Sequence, residues 1–374
     1  MAISPFRLHR FSVAALSLGL LLNVSSAITT TQAQARAYVT NFCSNTISVI
    51  DTDTNAVIAT VLVDRNPLGI DITPDGARVY VTNNGSGTVS VIDTGTNTVV
   101  ATIPVGASPF ELAVTPDGAR VYVANPGSRT ISAIDTATNT VVDTVFIALG
   151  PLAVSITPDG ARAYATSIGG PTGAVTVIDT ATNAVITTIP VGITPLGVVF
   201  SPDGTRAYVE DSTEIFNVID TATNTVINHG PQQIYHGQYA ITADGRRLYV
   251  TSPKITAVFV MDTSTNAIID SIPLAFSPIF PALASDGKRI YTANVDSTVS
   301  VIDTVTNTAI ATIPNFDCPR RIAITPVPKS KDDCKDGGYL KFRGLAFGNQ
   351  GSALSTSTAM QTKQRHRKQP FSQS

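Results

Sequence analysis

Residues 74–97 read PDGARVYVTNNGSGTVSVIDTGTN, a stretch in which two short apolar runs are bounded by turn-forming residues. The runs Arg78–Asn83 and Thr88–Asp93 are rich in Val and Thr and too short for a helix, so they predict two β-strands. Asp75-Gly76 predicts a two-residue hairpin turn in which both residues take positive φ. With the similar runs 69–73 and 99–105, this stretch predicts a unit of four short strands.

This unit recurs about every 42 residues. The tyrosine of its second strand recurs at Tyr38, Tyr80, Tyr122, Tyr164, Tyr208, Tyr249 and Tyr291. The aspartate of an Asp-Thr pair recurs in step at Asp51, Asp93, Asp135, Asp179, Asp220, Asp262 and Asp303. Four-stranded units of this length typify β-propellers, because stacking the sheets radially buries both faces of each one. The sequence therefore predicts an all-β, seven-bladed propeller with four antiparallel strands per blade. The alternative, a linear solenoid, would need atypical capping units.

The two ends of the repeat region predict how the ring closes. Residues 36–38 match the second strand of a unit, and residues 321–326 match the first strand. We therefore expect one blade to take its inner strand from the C-terminal end and three strands from the N-terminal end. The repeat spacing then places Cys43 and Cys318 as cross-strand neighbours, which predicts a disulfide between them. Two free thiols are the alternative, and Cys334 is left without a partner.

The first 35 residues resemble a targeting segment. Basic residues precede an apolar run at 11–22, and Ala33-Gln34-Ala35 has the form of a cleavage site, so residues 1–35 predict a signal peptide. A retained membrane anchor is the alternative. We thus expect residues 36–326 to form the propeller and residues 327–374 a basic, largely disordered tail. The location would be extracytoplasmic (periplasmic, cell-surface or secreted), without a membrane span after cleavage.

Charge separates the propeller region from the tail. Residues 36–326 hold 14 Lys and Arg against 24 Asp and Glu, a net charge of −10, whereas residues 327–374 hold nine against three, a net of +6. Because nucleic-acid binding is driven by Lys and Arg at the phosphates, an acidic propeller disfavours a nucleic-acid partner.

The recurrent polar residues predict structural roles. An arginine stands two residues before each repeat tyrosine, and pairing Tyr38 with Val49 places Arg36 opposite Asp51. We therefore predict seven Arg–Asp cross-strand pairs that fix the register, with a functional role as the alternative. The Thr-x-Thr-Asn segments lack the carboxylates of a calcium site, and His229 and His236 have no metal-ligand spacing. No catalytic residues, metal site or cofactor are expected.

Departures from the repeat concentrate on one face. Loops after the second strand and before the first strand emerge on the same side, where the channel opens. The candidate ligand-binding residues there are Phe110, Glu111, Glu210, Asp211, Tyr235, His236, Gln238, Arg320 and Arg321. Sequence variation in loops without any role in binding would explain the same departures.

Tyr38-Val39-Thr40-Asn41 and Val91-Ile92-Asp93-Thr94 resemble the YVTN-type β-propeller repeat. The resemblance covers residues 36–326 and implies a seven-bladed surface-layer or periplasmic protein, of a family mostly without known catalysis. Relatives by fold include quinoprotein amine dehydrogenase subunits, lactonases and a periplasmic DNA-binding member, whose haem, quinone or lactonase residues find no match here. The tail from Asp332 to Gly351 resembles a short extracytoplasmic motif, but Ser352-Ala353 stands where its second cysteine would be.

Two classes of function follow from these patterns. The first is a non-catalytic exported propeller, a monomer that binds a protein, glycan or envelope component through the loop face. The second is an extracytoplasmic enzyme, lactonase-like or quinoprotein-like, with its site at the channel mouth around Glu111, His236 and Arg321. Periplasmic DNA binding is a third, which the acidic propeller region disfavours.

Overall fold

The computed structural model describes residues 35–170, 172–211, 216–229 and 238–326. In this part of the chain, seven sheets of four antiparallel strands stand around one axis, and no helix is present. None of the described segments is therefore a long apolar helix that could cross a membrane. The predicted signal peptide, apart from Ala35, and the predicted tail lie outside the described residues.

The strands follow the chain in regular order. The first three are β1 (Arg36–Asn41), β2 (Thr46–Asp51) and β3 (Ala56–Leu62). Three complete blades follow: β4–β7 (Pro67–Ile72, Arg78–Asn83, Thr88–Asp93, Thr98–Pro104), β8–β11 (Leu112–Val114, Arg120–Asn125, Thr130–Asp135, Thr140–Phe146) and β12–β15 (Gly150–Ile156, Arg162–Ile168, Ala174–Asp179, Val185–Pro190). The remaining strands are β16–β19 (Val198–Phe200, Arg206–Glu210, Phe216–Asp220, Thr225–His229), β20–β23 (Gln238–Ile241, Arg247–Thr251, Ala257–Asp262, Ala267–Pro273), β24–β27 (Pro278–Leu283, Arg289–Asn294, Val299–Asp303, Thr308–Ile313) and β28 (Pro319–Ile324).

The ring closes as predicted. β28 pairs antiparallel with β1, so the closing blade has the strand order β28-β1-β2-β3. Each inner strand contacts the inner strands of both neighbouring blades, and β28 lies between β24 and β4. The solenoid alternative is therefore wrong for this chain, because every blade has a neighbour on both sides.

A disulfide joins the two ends of the closing blade. Cys43 and Cys318 are bonded, with their Cα atoms 5.6 Å apart, which confirms the predicted bond. The sequence did not predict the β-bulge between Val39 and Asn41, which shifts the register of β1 against β28. A bulge inserts one extra residue on one strand. The two cysteines are therefore bonded beyond the bulge rather than in a straight continuation of the ladder.

The buried core lies between the blades. It consists of seven apolar clusters, each built from two adjacent blades. The seven repeat tyrosines are its largest fully buried side chains. Six of their hydroxyls also donate a hydrogen bond to an asparagine of a neighbouring blade, in the pairs Tyr38–Asn97, Tyr80–Asn139, Tyr122–Asn183, Tyr164–Asn224, Tyr249–Asn307 and Tyr291–Asn55. These hydrogen bonds therefore join neighbouring blades at the same place around the ring.

The repeat arginines form the predicted cross-strand pairs and also link neighbouring blades. The register is as predicted, since Arg36 lies opposite Asp51 and the other six pairs follow suit. However, the Arg78 guanidinium donates to the carbonyl of Thr136 in the adjacent blade at 2.8 Å, as its six counterparts do in theirs. The aspartates accept instead from their own turns, as Asp135 does from Thr138. The register of the paired strands therefore did not predict the contact between the arginine side chain and the adjacent blade.

The turn after each inner strand has a different form from the one predicted. Gly76 takes positive φ (72°), whereas Asp75 does not. The Gly76 N–H donates to the Thr73 carbonyl, and the Asp75 carboxylate accepts from the Thr73 hydroxyl and from the Ala77 N–H. The aspartate is therefore a hydrogen-bond acceptor that closes the turn.

Candidate functional site

One position of the repeat lies at the mouth of the central channel. It lies near the start of each inner strand and is occupied by Gly69, Glu111, Ala153, Gly197, Gln238, Phe280 and Arg321. All but Gly69 line the channel. Glu111, Gln238 and Arg321 were predicted from the sequence, whereas Phe280 was missed although the same spacing identifies it.

Arg321 is the centre of this group. Its guanidinium forms an ion pair with the Glu111 carboxylate, stacks over the Phe280 ring at 3.9 Å from the centroid, and donates to Gln238 Oε1 at 3.4 Å. Its backbone N–H donates to Thr40 Oγ1 at 2.9 Å. Residues from four blades thus meet at one guanidinium, although five repeat periods separate Glu111 from Arg321 in the sequence.

Burial and pairing act on this guanidinium in opposite directions. The side chains of Arg321 and Glu111 are 21% and 12% exposed. Burial lowers the pKa of Arg321 to about 9, whereas the adjacent carboxylate favours the charged form. Arginine therefore stays protonated at neutral pH, and the pair is a fixed polar element rather than a proton donor.

A second arginine lines a pocket on the outer side of this group. The pocket, which we call the mouth pocket, has a volume of about 340 Å³ and is lined by Phe42, Leu68, Asn84, Phe110, Glu111, Phe280, Arg320 and Arg321. The Arg320 guanidinium lies over the Phe42 ring, 5.4 Å from its centroid. Phe42 adjoins Cys43, and Arg320 lies two residues after Cys318, so the disulfide fixes both walls here. Phe42 was not predicted, although it stands one repeat period before Asn84, which lines the same pocket.

A second, smaller cavity lies along the channel. This cavity of about 110 Å³ is lined by small and branched residues such as Val154, Val198, Ala282 and Ile324 together with the Arg321 group. The volume is small compared with the roughly 300–1,000 Å³ of typical small-molecule sites. Ligand recognition is therefore favoured at the mouth rather than along the axis.

The other predicted residues are placed differently. Asp211 is fully buried and accepts from Asn217 Nδ2 at 3.5 Å. It takes the place that Asn83 has in its own blade, where Asn83 donates to Ser90. Glu210 ends β17, and Tyr235 and His236 lie outside the described residues. The structure therefore brings together Phe110, Glu111, Gln238, Arg320 and Arg321, and places Asp211 apart from them.

A family model for YNCE-like beta-propellers matches residues 24–120. No curated protein sequence matches the chain. Among solved structures, a chain of Kuenenia stuttgartiensis hydrazine synthase is similar at 26% identity and a TM-score of 0.66, over 71% of this chain and 92% of that one.

Two further solved structures are similar in fold. A functionally unknown protein from Desulfotomaculum acetoxidans DSM 771 matches at 17% identity and a TM-score of 0.69, over 78% of this chain and 99% of that one. The dihydro-heme d1 dehydrogenase NirN, in complex with DHE, matches at 18% identity and a TM-score of 0.59, over 75% of this chain and 63% of that one. At these identities the likeness concerns the propeller fold.

Proposed function

We propose that this seven-bladed β-propeller repeat protein is an exported, non-catalytic binding module, a monomer that recognises a protein, glycan or cell-envelope component at its channel mouth. The observation that carries this proposal is the fixed cluster around Arg321, in which Glu111, Gln238 and Phe280 meet from separate blades. A guanidinium held rigidly by an ion pair and an aromatic face is suited to recognition, because little side-chain freedom is left to lose on binding.

An extracytoplasmic location is part of this proposal. The Cys43–Cys318 disulfide supports it, because such bonds persist in oxidising compartments and are rare in the cytosol. The signal peptide predicted for residues 1–35 supports the same location.

Binding to isolated envelope material tests the proposal. Wild-type protein, the mouth variant Arg321→Ala and the variant Lys288→Ala would be mixed with envelope preparations of the producing organism, and the bound fraction measured by sedimentation. Lys288 is an exposed residue in a turn at the opposite end of the channel, so its removal matches the charge change of the mouth variant. We expect at least tenfold weaker binding for Arg321→Ala and unchanged binding for Lys288→Ala. Equal binding by all three proteins would contradict the proposal.

An extracytoplasmic enzyme is the second candidate. The similarity to a chain of hydrazine synthase, an enzyme by its name, favours it. Metal analysis and an absorption spectrum of protein purified from its native host discriminate between the two functions. A metal or chromophore at one equivalent per chain would support the enzyme and contradict the binding module. DNA binding, the third possibility, would appear as retention of single-stranded DNA in a filter assay.

A further inference from the structure

We propose that the mouth pocket binds the carboxylate of an acidic glycan, and that Arg320 is the residue that pairs with it. This inference rests on the proposed binding function and specifies the class of ligand. It follows from the different surroundings of the two adjacent arginines.

Arg320 is a cation without an anionic partner among the described residues. Its guanidinium contacts the face of Phe42, and its Nε is shielded from solvent with no hydrogen-bond acceptor. Arg321, by contrast, is already paired with Glu111. A shielded charged donor without an acceptor is unfavourable, by about 1–3 kcal/mol for an ordinary group and more for a charged one. A ligand oxygen near Arg320 would remove this penalty.

The charge of the pocket favours a single negative group. Arg320, Arg321 and Glu111 line it together, so these three side chains carry a net charge of +1. The surrounding residues 36–326 carry a net charge of −10. A carboxylate is the monovalent anion that a guanidinium binds with two parallel hydrogen bonds. The pocket is therefore a local site for one carboxylate on an otherwise acidic protein.

The remaining walls favour a sugar as the carrier of that carboxylate. Phe42, Phe110 and Phe280 provide aromatic surface, against which the apolar face of a pyranose ring can pack. The Asn84 side chain donates to the Pro109 carbonyl at 3.2 Å, which orients its own amide oxygen as an acceptor for a hydroxyl. The volume of about 340 Å³ lies at the lower end of ligand pockets and suits one sugar residue, with the rest of the chain outside.

Calorimetric titration with trigalacturonate tests this inference. The comparison ligands are a neutral galactose trisaccharide and a short peptide whose only carboxylate is its C-terminus. We expect trigalacturonate to bind at least tenfold more tightly than either. Arg320→Ala should weaken this binding at least tenfold, because it removes a charge-assisted hydrogen-bond pair. Lys254→Ala, which removes an exposed cation from a loop on the same face, should leave it unchanged.

A second variant gives an effect of opposite sign. Glu111→Gln removes the carboxylate that lines the pocket and raises the net charge of the three side chains to +2. Trigalacturonate should then bind more tightly than to the wild type, and the gain should shrink as salt is added. This measurement stands even if Arg320→Ala does not fold.

Several results would overturn the inference. They are equal binding of the neutral trisaccharide, tighter binding of the peptide, no trigalacturonate binding at millimolar concentration, or no effect of Arg320→Ala in a folded protein. If envelope binding depends on Arg321 while trigalacturonate fails to bind, the ligand class is wrong and the proposed function stands. If envelope binding is also independent of Arg321, both are wrong.

Discussion

The hydroxyl of Tyr122 donates to Asn183 Oδ1 in the next blade at 2.7 Å. The asparagine has φ of 58°, a left-handed conformation that asparagine tolerates better than most residues. Asn183 therefore serves the turn of its own blade through its backbone and the contact with the neighbouring blade through its side chain. At the equivalent position of another blade, Asn266 Oδ1 has no hydrogen-bond partner, and its counterpart across the interface is Tyr208.

This difference predicts unequal effects of removing one hydroxyl. Tyr122→Phe should lower the free energy of unfolding by about 1 kcal/mol, because it removes a hydrogen bond and leaves Asn183 without its donor. Tyr208→Phe should change it much less, since Asn266 accepts no bond there. Urea denaturation of both variants measures the difference. Equal losses would show that the hydroxyls stabilise the ring in another way.

The turn glycines predict a second pair of unequal variants. Gly245 and Gly287 have the same φ of 70°, but a Cβ at Gly245 would lie 2.9 Å from Pro202 Cδ, whereas one at Gly287 meets nothing within 4 Å. Gly287→Ala should therefore cost only the left-handed strain of about 1–2 kcal/mol, and Gly245→Ala should cost more.

Replacing Pro202 tests whether its contact with the new Cβ causes the loss. Adding Pro202→Ala to Gly245→Ala should recover part of the loss, because it removes the atom in contact. Thermal unfolding of the two glycine variants, of Pro202→Ala alone and of the double variant tests this. If the double variant were less stable by the sum of the single losses, the interblade contact would not be the cause.

The disulfide predicts a large effect of reduction on stability. Replacing Cys43 and Cys318 by serine opens a loop that spans 275 residues. The free energy of unfolding should fall, by at most about 6 kcal/mol in the loop-entropy estimate. The comparison would be made in a Cys334→Ser background, so that the ring cysteines are the only thiols. Unchanged melting temperatures with and without reductant would contradict the prediction.

The buried tyrosines predict sensitivity to alkaline pH. Burial raises the pKa of all seven above the ordinary value of about 10: Tyr38, Tyr80, Tyr122, Tyr164, Tyr208, Tyr249 and Tyr291. Below pH 10 the phenols are protonated in both states. Above it the unfolded chain loses protons that the folded chain retains, so stability must fall as pH rises.

Melting temperatures between pH 8 and pH 11.5 test this sign. They should be nearly constant up to about pH 10 and fall beyond it. The fall should be shallower in Tyr122→Phe, which has one fewer raised phenol. A flat profile to pH 11.5 would contradict the prediction.

The sequence predicted contacts within a blade better than contacts between blades. The period determined the number of blades, the opposition of Arg78 to Asp93 and the closing pair β28 and β1, because each follows from counting along paired strands. The reach of the Arg78 guanidinium to Thr136 does not follow from counting, since it depends on how one sheet is rotated against the next.

The candidate site was predicted in part for the same reason. Glu111, Gln238 and Arg321 were identified because they replace a small residue at one repeat position. Asp211 also departs from the repeat, but its partner Asn217 departs with it, so the exchange is accommodated in a buried pair. Comparing the repeats at one position alone could not distinguish a residue that pairs with a second changed residue in the core from a residue that faces the channel.

The link between Cys43 and Cys318 also determines how the ring would respond to tension. A pull applied through residues before Cys43 and after Cys318 passes directly from one cysteine to the other through a covalent bond. The six blades from β4 to β27 lie within the loop that the disulfide closes, so they bear none of the force. In a protein tethered at both ends, the force would therefore act on β1 and β28, the two innermost strands of the closing blade, while the six complete blades stay folded.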